Sequence, residues 1–253
     1  MKIDLHSHTN HSFDCKTRVE DLVRNAEQIG LDAIAITDHG TLSAVEMASG
    51  LARNILIIPG IEVSSWKGTH IIGLFIKDEI TSRDIIEIII EIHDQGGLAV
   101  IPHPFRQSSG LLYGKEKHKL YSGEDIHEIL SLTDLVEVVN FGCKLEENME
   151  ANTFFDAFPD IAQIGGSDAH EPSQIGKAYI DLDLEKTDNL NNVRKALLTA
   201  PRIIRYEAYD PDMMERKFAK YIEGPKKGII SEIKNSFQKI KGLINKKDNG
   251  NLL

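Results

Sequence analysis

The stretch Asp4-Leu5-His6-Ser7-His8-Thr9-Asn10-His11-Ser12-Phe13-Asp14 decides how the rest of the chain is read. It holds three histidines and two aspartates in eleven residues, next to the N-terminus. Met1-Lys2-Ile3 and Leu5 read as a short strand. Residues two apart on a strand point the same way. His6 and His8 therefore share one side at the strand's C-terminal end, where two imidazoles can grip one cation. A lone His-x-His is equally compatible with two ordinary polar residues at a strand end. The repetition of the pattern along the chain gives it weight.

Working outward, Thr17-Arg18-Val19-Glu20 reads as a capping box. Val19, Leu22, Val23, Ala26 and Ile29 follow at helical spacing, and Gly30 ends the helix. Residues 31–37 form an apolar run ending in Asp38-His39-Gly40. A helix is predicted over 42–53, then a strand over 54–61, interrupted by Pro59-Gly60 and followed by Glu62. A strand over 69–76 has His70 near its start. An isoleucine-rich helix over 82–95 stops at Gly96-Gly97. The strand 98–101 ends in Pro102-His103-Pro104. A long loop is expected over 105–121, and Ser122 caps a helix reaching Leu132. A strand over 135–139, a helix over 145–155 and a strand over 161–164 follow. The last of these ends in Gly165-Gly166-Ser167-Asp168-Ala169-His170. A strand over 178–182, a helix over 190–199 and an extended segment over 202–207 finish the body. Such alternation implies parallel strands with helical crossovers, and in such folds sites form at the strands' C-terminal ends. Those ends carry His6/His8, Asp38/His39, Glu62, His103, Asp168/His170 and, more loosely, Glu137/Asn140. Scattered surface histidines would not favour one rim.

With 253 residues the chain suits one large domain, or one domain with a small appendage. A net charge of -10 argues against a protein that coats nucleic acid. A small anionic substrate stays admissible, because bound cations invert the local field. Cys15 and Cys143 form no disulfide framework and lack zinc-finger spacing, so a reduced, cytoplasmic protein is expected. No apolar run is long enough to span a bilayer, and a site beginning at His6 leaves no room for a signal peptide. Residues 211–253 carry a net charge of +5 against -15 for the remainder. Ile229, Ile230, Ile233, Phe237, Ile240 and Ile244 make a helical apolar stripe among lysines there. The expected organisation is one main domain over 1–208 and a basic amphipathic helical tail over 209–253 with a disordered end. Such a tail packs on the acidic body, on a peripheral partner or on an anionic membrane surface.

Imidazoles and carboxylates without thiolates suit Zn, Mn or Fe. Nine candidates are too many for one ion, and a carboxylate can bridge two, so two or three are implied. Multi-metal sites activate water and stabilise both oxygens of an in-line displacement at phosphorus. No nucleophile elbow or glycine-rich phosphate loop competes with this chemistry.

Six pieces occur in one order: Asp4-Leu5-His6-Ser7-His8-Thr9, Ile36-Thr37-Asp38-His39, Pro59-Gly60-Ile61-Glu62, His70-Ile71-Ile72-Gly73, His103-Pro104 and Gly166-Ser167-Asp168-Ala169-His170. The ordered set resembles the PHP (polymerase and histidinol phosphatase) family, over residues 1 to 182. The resemblance implies an α/β fold, a distorted seven-stranded (β/α) barrel with a trinuclear centre, here followed by the C-terminal helical extension. It implies that His6, His8, Glu62 and Asp168 hold one ion. Glu62 bridges to a second ion held by His70 and His103, and Asp14, His39 and His170 hold a third. The loop Ser12-Phe13-Asp14-Cys15 departs from the family in lacking the Asp-Gly common there. Asp38 is expected to orient a ligand or cap a helix. Arg106 is read as a fork onto substrate phosphate, with Arg18 and Lys177 as lesser candidates. His11 is a loop residue, and His93, His118 and His127 read as solvated positions.

The implied activity is metal-dependent hydrolysis of a phosphate ester by attack of a metal-activated hydroxide. Mn is the first choice of ion, with Zn or Fe as alternatives. Asp168 is expected to be required, and His39 or His170, if free of metal, to protonate the leaving group. A nucleotide or short oligonucleotide ranks first as substrate. Histidinol phosphate or another small phosphomonoester is the alternative. A non-catalytic metal-binding module bracing a partner is the reading from another class.

Overall fold

In the computed structural model, residues 1–113 and 121–207 are described. The strands are β1 (Lys2–Asp4), β2 (Ala33–Ile36), β3 (Leu56–Ser64), β4 (His70–Leu74), β5 (Leu98–Ile101), β6 (Leu135–Asn140), β7 (Ala162–Gly166), β8 (Ala178–Leu182) and β9 (Arg202–Tyr206). They form one sheet in the order β7-β6-β5-β4-β3-β2-β1-β8-β9. The helices among the described residues are α1 (Val19–Gln28), α2 (Val45–Leu51), α3 (Ile85–Asp94), α4 (Gly123–Leu132), α5 (Leu145–Phe155) and α6 (Leu190–Thr199).

Alternate strand residues face two different apolar layers, which is why these strands read as continuous apolar runs. Ala33, Ala35, Ile58, Ile72, Val100, Leu135 and Ile164 share an inner core with Ile3 and Leu5. Ile34, Ile36 and Ile57 face α1 and α2. Ile71, Ala99, Ile101 and Val136 face α3, α4 and α5. The sheet curls until its ends meet beyond β1 and β7, where the Asp168 amide donates to the His6 carbonyl at 2.8 Å and the His8 amide to the Ala169 carbonyl at 3.0 Å. The seven strands β1 to β7 thus make a nearly closed barrel, with β8 and β9 added outside β1.

The expectation that all the strands run parallel fails at β4 and again at β8, and the failure at β4 shapes the rim. β1, β2 and β3 are parallel, as are β5, β6 and β7, but β4 is antiparallel to both neighbours. The connection over residues 65–69 is too short for a helical crossover, so β3 and β4 form a hairpin. β4 therefore starts at the rim where β3 and β5 end, which brings its first residue, His70, onto that rim. β8 is likewise antiparallel to β1 and to β9.

Pro59-Gly60 does not interrupt β3. Pairing passes there from β2, which ends opposite Pro59, to β4, whose last residue, Leu74, lies opposite Gly60. Thr17 is not the cap of α1; Arg18 holds that position, and the Thr17 hydroxyl donates to the His170 carbonyl at 3.0 Å instead. α2 is shorter than predicted because Glu79 takes the Thr41 hydroxyl and the Leu42 amide into a loop. α3 starts at Ile85, capped by Asp84, whose carboxylate accepts from the amides of Ile86 and Glu87. Ser122 caps α4 in a reciprocal box with Asp125. The predicted basic tail and His118 lie outside the described residues. Among the described residues, no helix is long and apolar enough to cross a membrane.

Candidate metal centre

All nine sequence-predicted donors meet at the rim. His6 and His8 leave the end of β1, and their Nε2 atoms lie 3.2 Å apart. Glu62 Oε2 is 3.4 Å from His6 Nε2 and 3.3 Å from His8 Nε2. Asp168 Oδ1 is 3.4 and 3.2 Å from the same two nitrogens. Tetrahedral ligands at about 2.1 Å from an ion lie about 3.4 Å from one another, and these distances match the spacing that such a site would need. The other oxygen of Glu62 faces a second group, with Oε1 2.7 Å from His70 Nδ1 and 3.1 Å from His103 Nε2. Asp14 Oδ2 is 3.3 Å from both His39 Nε2 and His170 Nε2. His39 also approaches Glu62, its Nδ1 lying 3.4 Å from Oε2.

The donor set fits divalent cations on two observations. Nδ1 of His39 and of His103 are buried with no hydrogen-bond partner, and buried polar atoms seldom go unsatisfied. The imidazoles are also held in ligand form from behind. His6 Nδ1 donates to Glu137 Oε1 at 3.2 Å, and His8 Nδ1 to Ser12 Oγ at 3.1 Å. His170 Nδ1 donates to the Asp168 carbonyl at 2.9 Å. Each of these nitrogens carries the hydrogen, so Nε2 is the nitrogen left to face the cluster.

Glu137 also accepts from the His103 amide at 3.0 Å and from Asn140 Nδ2 at 2.7 Å, tying β5 and β6 to His6. Asp38 orients and does not ligate: it accepts from the Thr9 amide and hydroxyl and from the Ser12 hydroxyl. Asp4 pins the barrel seam, with Oδ1 accepting from the Ser167 amide and Oδ2 from the Gly176 amide, both at 3.0 Å. Burial lifts the Asp4 pKa to about 6 despite those bonds.

Charge balance makes the cluster cation-seeking. Burial works against ionisation of Glu62, but the charge on His6 and bonds from His103, His6 and His70 hold it well below the usual carboxylate range. Asp168 behaves alike, burial being outweighed by His6, His8 and Arg106. Burial disfavours a charged His8, yet bonds to Asp168 and Glu62 raise its pKa to about 9. His103 shifts the other way: burial, aided by nearby Arg106 and opposed by Glu62, lowers its pKa, so it is neutral. Without ions, protons on His6 and His8 supply the positive charge that the carboxylates need.

Arg106 sits at the rim with Nη2 2.5 Å from Asp168 Oδ2 and 3.3 Å from Asn140 Oδ1. It is paired rather than open-handed, and its side chain is 23% exposed. A Cβ on Gly142 would fall 2.5 Å from Arg106 Nη2, and one on Gly166 2.2 Å from Glu137 Oε1, so both glycines make room for the cluster. His103 and Asp168 take left-handed backbone, φ 30° and 50°, the kind of strain that gathers at functional sites. Arg18 and Lys177 are in ion pairs with Asp21 and Glu207. His11 pairs with Ser43 and His93 with Asp134. Asp4 and Ser12 lie in the opening stretch without being read there as site residues, and Gly142 carries no motif; what marks Asp4 is a carboxylate beside the buried Ile3 and Leu5.

A rim of imidazoles and carboxylates at the mouth of a β/α barrel defines a class of metal-site proteins. The family follows from comparison. The PHP domain model matches residues 4–143 and the PHP-associated model residues 146–199, and the chain belongs to the PHP domain family. It is 32% identical over 196 residues, 76% of either chain, to an uncharacterized protein of Methanocaldococcus jannaschii. It is 45% identical over 80 residues to the 5'-3' exoribonuclease Rnm of Escherichia coli, covering 28% of this chain and 26% of that one. Its fold matches a two-domain protein from Bacteroides vulgatus containing a predicted PHP-like metal-dependent phosphoesterase. The TM-score is 0.62 at 21% identity, over 87% of this chain and 69% of that one.

Proposed function

We propose that this metal-dependent phosphoesterase of the PHP family hydrolyses phosphate esters of nucleotides or short oligonucleotides. The observation that carries the reading is the division of Glu62, one oxygen toward His6 and His8 and the other toward His70 and His103. A carboxylate facing two donor groups is what a multi-ion site requires. His6, His8, Glu62 and Asp168 would hold one ion, Glu62, His70 and His103 a second, and Asp14, His39 and His170 a third. Mn suits this nitrogen and oxygen set, with Zn or Fe as alternatives. Bound there, divalent ions supply water activation and neutralisation of charge at phosphorus.

The chain's own residues set the stage for that chemistry. Glu137 and Ser12 aim the His6 and His8 rings. Arg106 reaches substrate phosphate by exchanging its Asp168 partner for a phosphate oxygen, a group that a guanidinium grips in bidentate fashion. The Nδ1–H of His170 is committed to the Asp168 carbonyl, which leaves Nε2, beside Asp14, as the atom by which His170 acts as a ligand. Similarity to the exoribonuclease supports a nucleotide substrate. The net charge of -10 supports a short one, since a long polyanion is repelled by such a surface.

The test is a hydrolysis screen of the Mn-loaded protein on histidinol phosphate, nucleoside bisphosphates, p-nitrophenyl phosphate, its bis-ester and short RNA. A nucleoside bisphosphate or short RNA is expected to be turned over with the highest kcat/KM. A clear preference for histidinol phosphate would replace the substrate assignment. Binding of ions without turnover of any ester would favour a metal-holding module that braces a partner.

A further inference from the structure

We propose that the outer face of the Phe13 ring is a stacking platform for a nucleobase of the substrate; this deepens the nucleotide reading above and rests on it. Phe13 is 87% exposed, an unusual place for a large apolar ring beside a polar cluster. It is not adrift. Its ring stacks on the His39 imidazole, with centroids 5.0 Å apart and planes inclined at 27°. The turn that carries it is anchored just before the ring: the Ser12 amide donates to the Thr9 carbonyl at 3.0 Å, and Ser12 Oγ donates to Asp38 and accepts from the His39 amide. The next residue, Asp14, belongs to the donor cluster.

One face of Phe13 is therefore occupied by a histidine of the centre and the other faces solvent. From Phe13 the contacts run inward through His39 to His8 (ring centroids 4.7 Å apart), then Asp168 (3.2 Å), and end on Arg106 (2.5 Å). In this proposal a phosphate is held between the cluster and Arg106, and the rest of the nucleotide extends across the rim to Phe13. An exposed aromatic face there offers a base the stacking surface that single-stranded nucleic-acid sites use, and it tolerates any base because every base has a π-face. Phe13 has no hydrogen-bonding group, so this platform selects for a base without selecting which one. A ring that served only to shield His39 would treat substrates with and without a base alike.

The experiment compares non-hydrolysable phosphonate analogues of AMP and of ribose 5-phosphate, titrated calorimetrically into the full-length Mn-loaded protein. The natural chain is expected to bind the AMP analogue roughly fivefold to a hundredfold tighter than the base-free one, the range of a single base–aromatic stack. Phe13→Ala and Phe13→Leu should erase that ratio, and Phe13→Trp should keep it. Metal content measured by mass spectrometry should be equal in all four proteins. Equal affinity for the two analogues in the natural chain would overturn the proposal, as would a loss of equal size for both analogues in Phe13→Leu. Phosphate release from AMP and ribose 5-phosphate is followed in parallel. Absence of turnover with the affinity ratio intact would sink the hydrolase reading and leave the platform standing. Turnover without the ratio would do the reverse.

Discussion

His6, His8 and His170 are each aimed at the rim by a partner behind the ring. Glu137 is the sharpest case, since it alone fixes which His6 nitrogen faces the centre. Glu137→Gln is expected to lower metal affinity by about 10- to 100-fold, measured by competition with a chromophoric chelator, with little change in the circular dichroism spectrum. Asp168 sits at φ 50°, a conformation that asparagine tolerates. Asp168→Asn should therefore stay folded while losing at least about 100-fold in hydrolysis, the upper end for disturbed metal sites; unchanged turnover would remove Asp168 from the reaction. Protons compete with ions for His8, whose pKa in the ion-free chain is about 9. Below that pH the ring is protonated and must release its proton to bind an ion. Apparent metal affinity should thus rise with pH, by up to about tenfold per unit and levelling near pH 9. Calorimetry in buffers of different ionisation enthalpy should register the released proton. At this scale the donors were legible because His and Asp at strand ends stand out against apolar runs. Glu137 was only loosely placed on the rim, and its link to His6 spans 131 residues, a pairing that no local spacing reveals.

Among the elements, β4 is where reading by alternation fails and where the fold uses the exception. A parallel β4 would have left His70 at the far end of the barrel, away from Glu62. The hairpin instead sets His70 opposite Ser64, two residues beyond Glu62. The sequence shows a strand of the right length, but its direction is decided by the short turn over 65–69, which strand and helix periodicity does not register. Pro59-Gly60 was read as a break for the same local reason. In the sheet these residues mark a change of partner, and a Cβ on Gly60 would fall 3.0 Å from Thr37 Cγ2 and 3.1 Å from Leu74 Cδ2. Gly166 closes β7 against β6, with no room for a methyl beside Glu137 and the His6 Cβ. Gly166→Ala is expected to cost about 1–3 kcal/mol in urea unfolding, the usual penalty of overpacking. It should also lower metal content, because relief of the clash moves Glu137 off His6. A substitution that lost stability but kept full metal content would show that the Glu137–His6 link tolerates displacement.

Over the whole molecule, the donors come from the ends of β1, β2, β3, β5 and β7, the start of β4 and the loop carrying Asp14, so the centre ties together nearly every strand of the barrel. The seam between β1 and β7 is short, resting on a few backbone bonds and the Asp4 carboxylate. Ions shared by His6 and His8 on one side of that seam and Asp168 on the other would lock it. An ion that binds only the folded chain adds stability by mass action, about 2.7 kcal/mol at a free concentration 100 times its Kd. For a domain of this size each kcal/mol is worth about 2–4 °C in Tm. Saturating Mn is therefore expected to raise Tm by roughly 5–10 °C over chelator-treated protein in scanning calorimetry. The shift should shrink by more than half in His6→Gln, which removes an ion spanning the seam, and much less in Asp14→Asn, which touches only the outer group of His39 and His170. Equal losses in the two variants would mean that the ions stabilise the rim locally and that the barrel closes without their help.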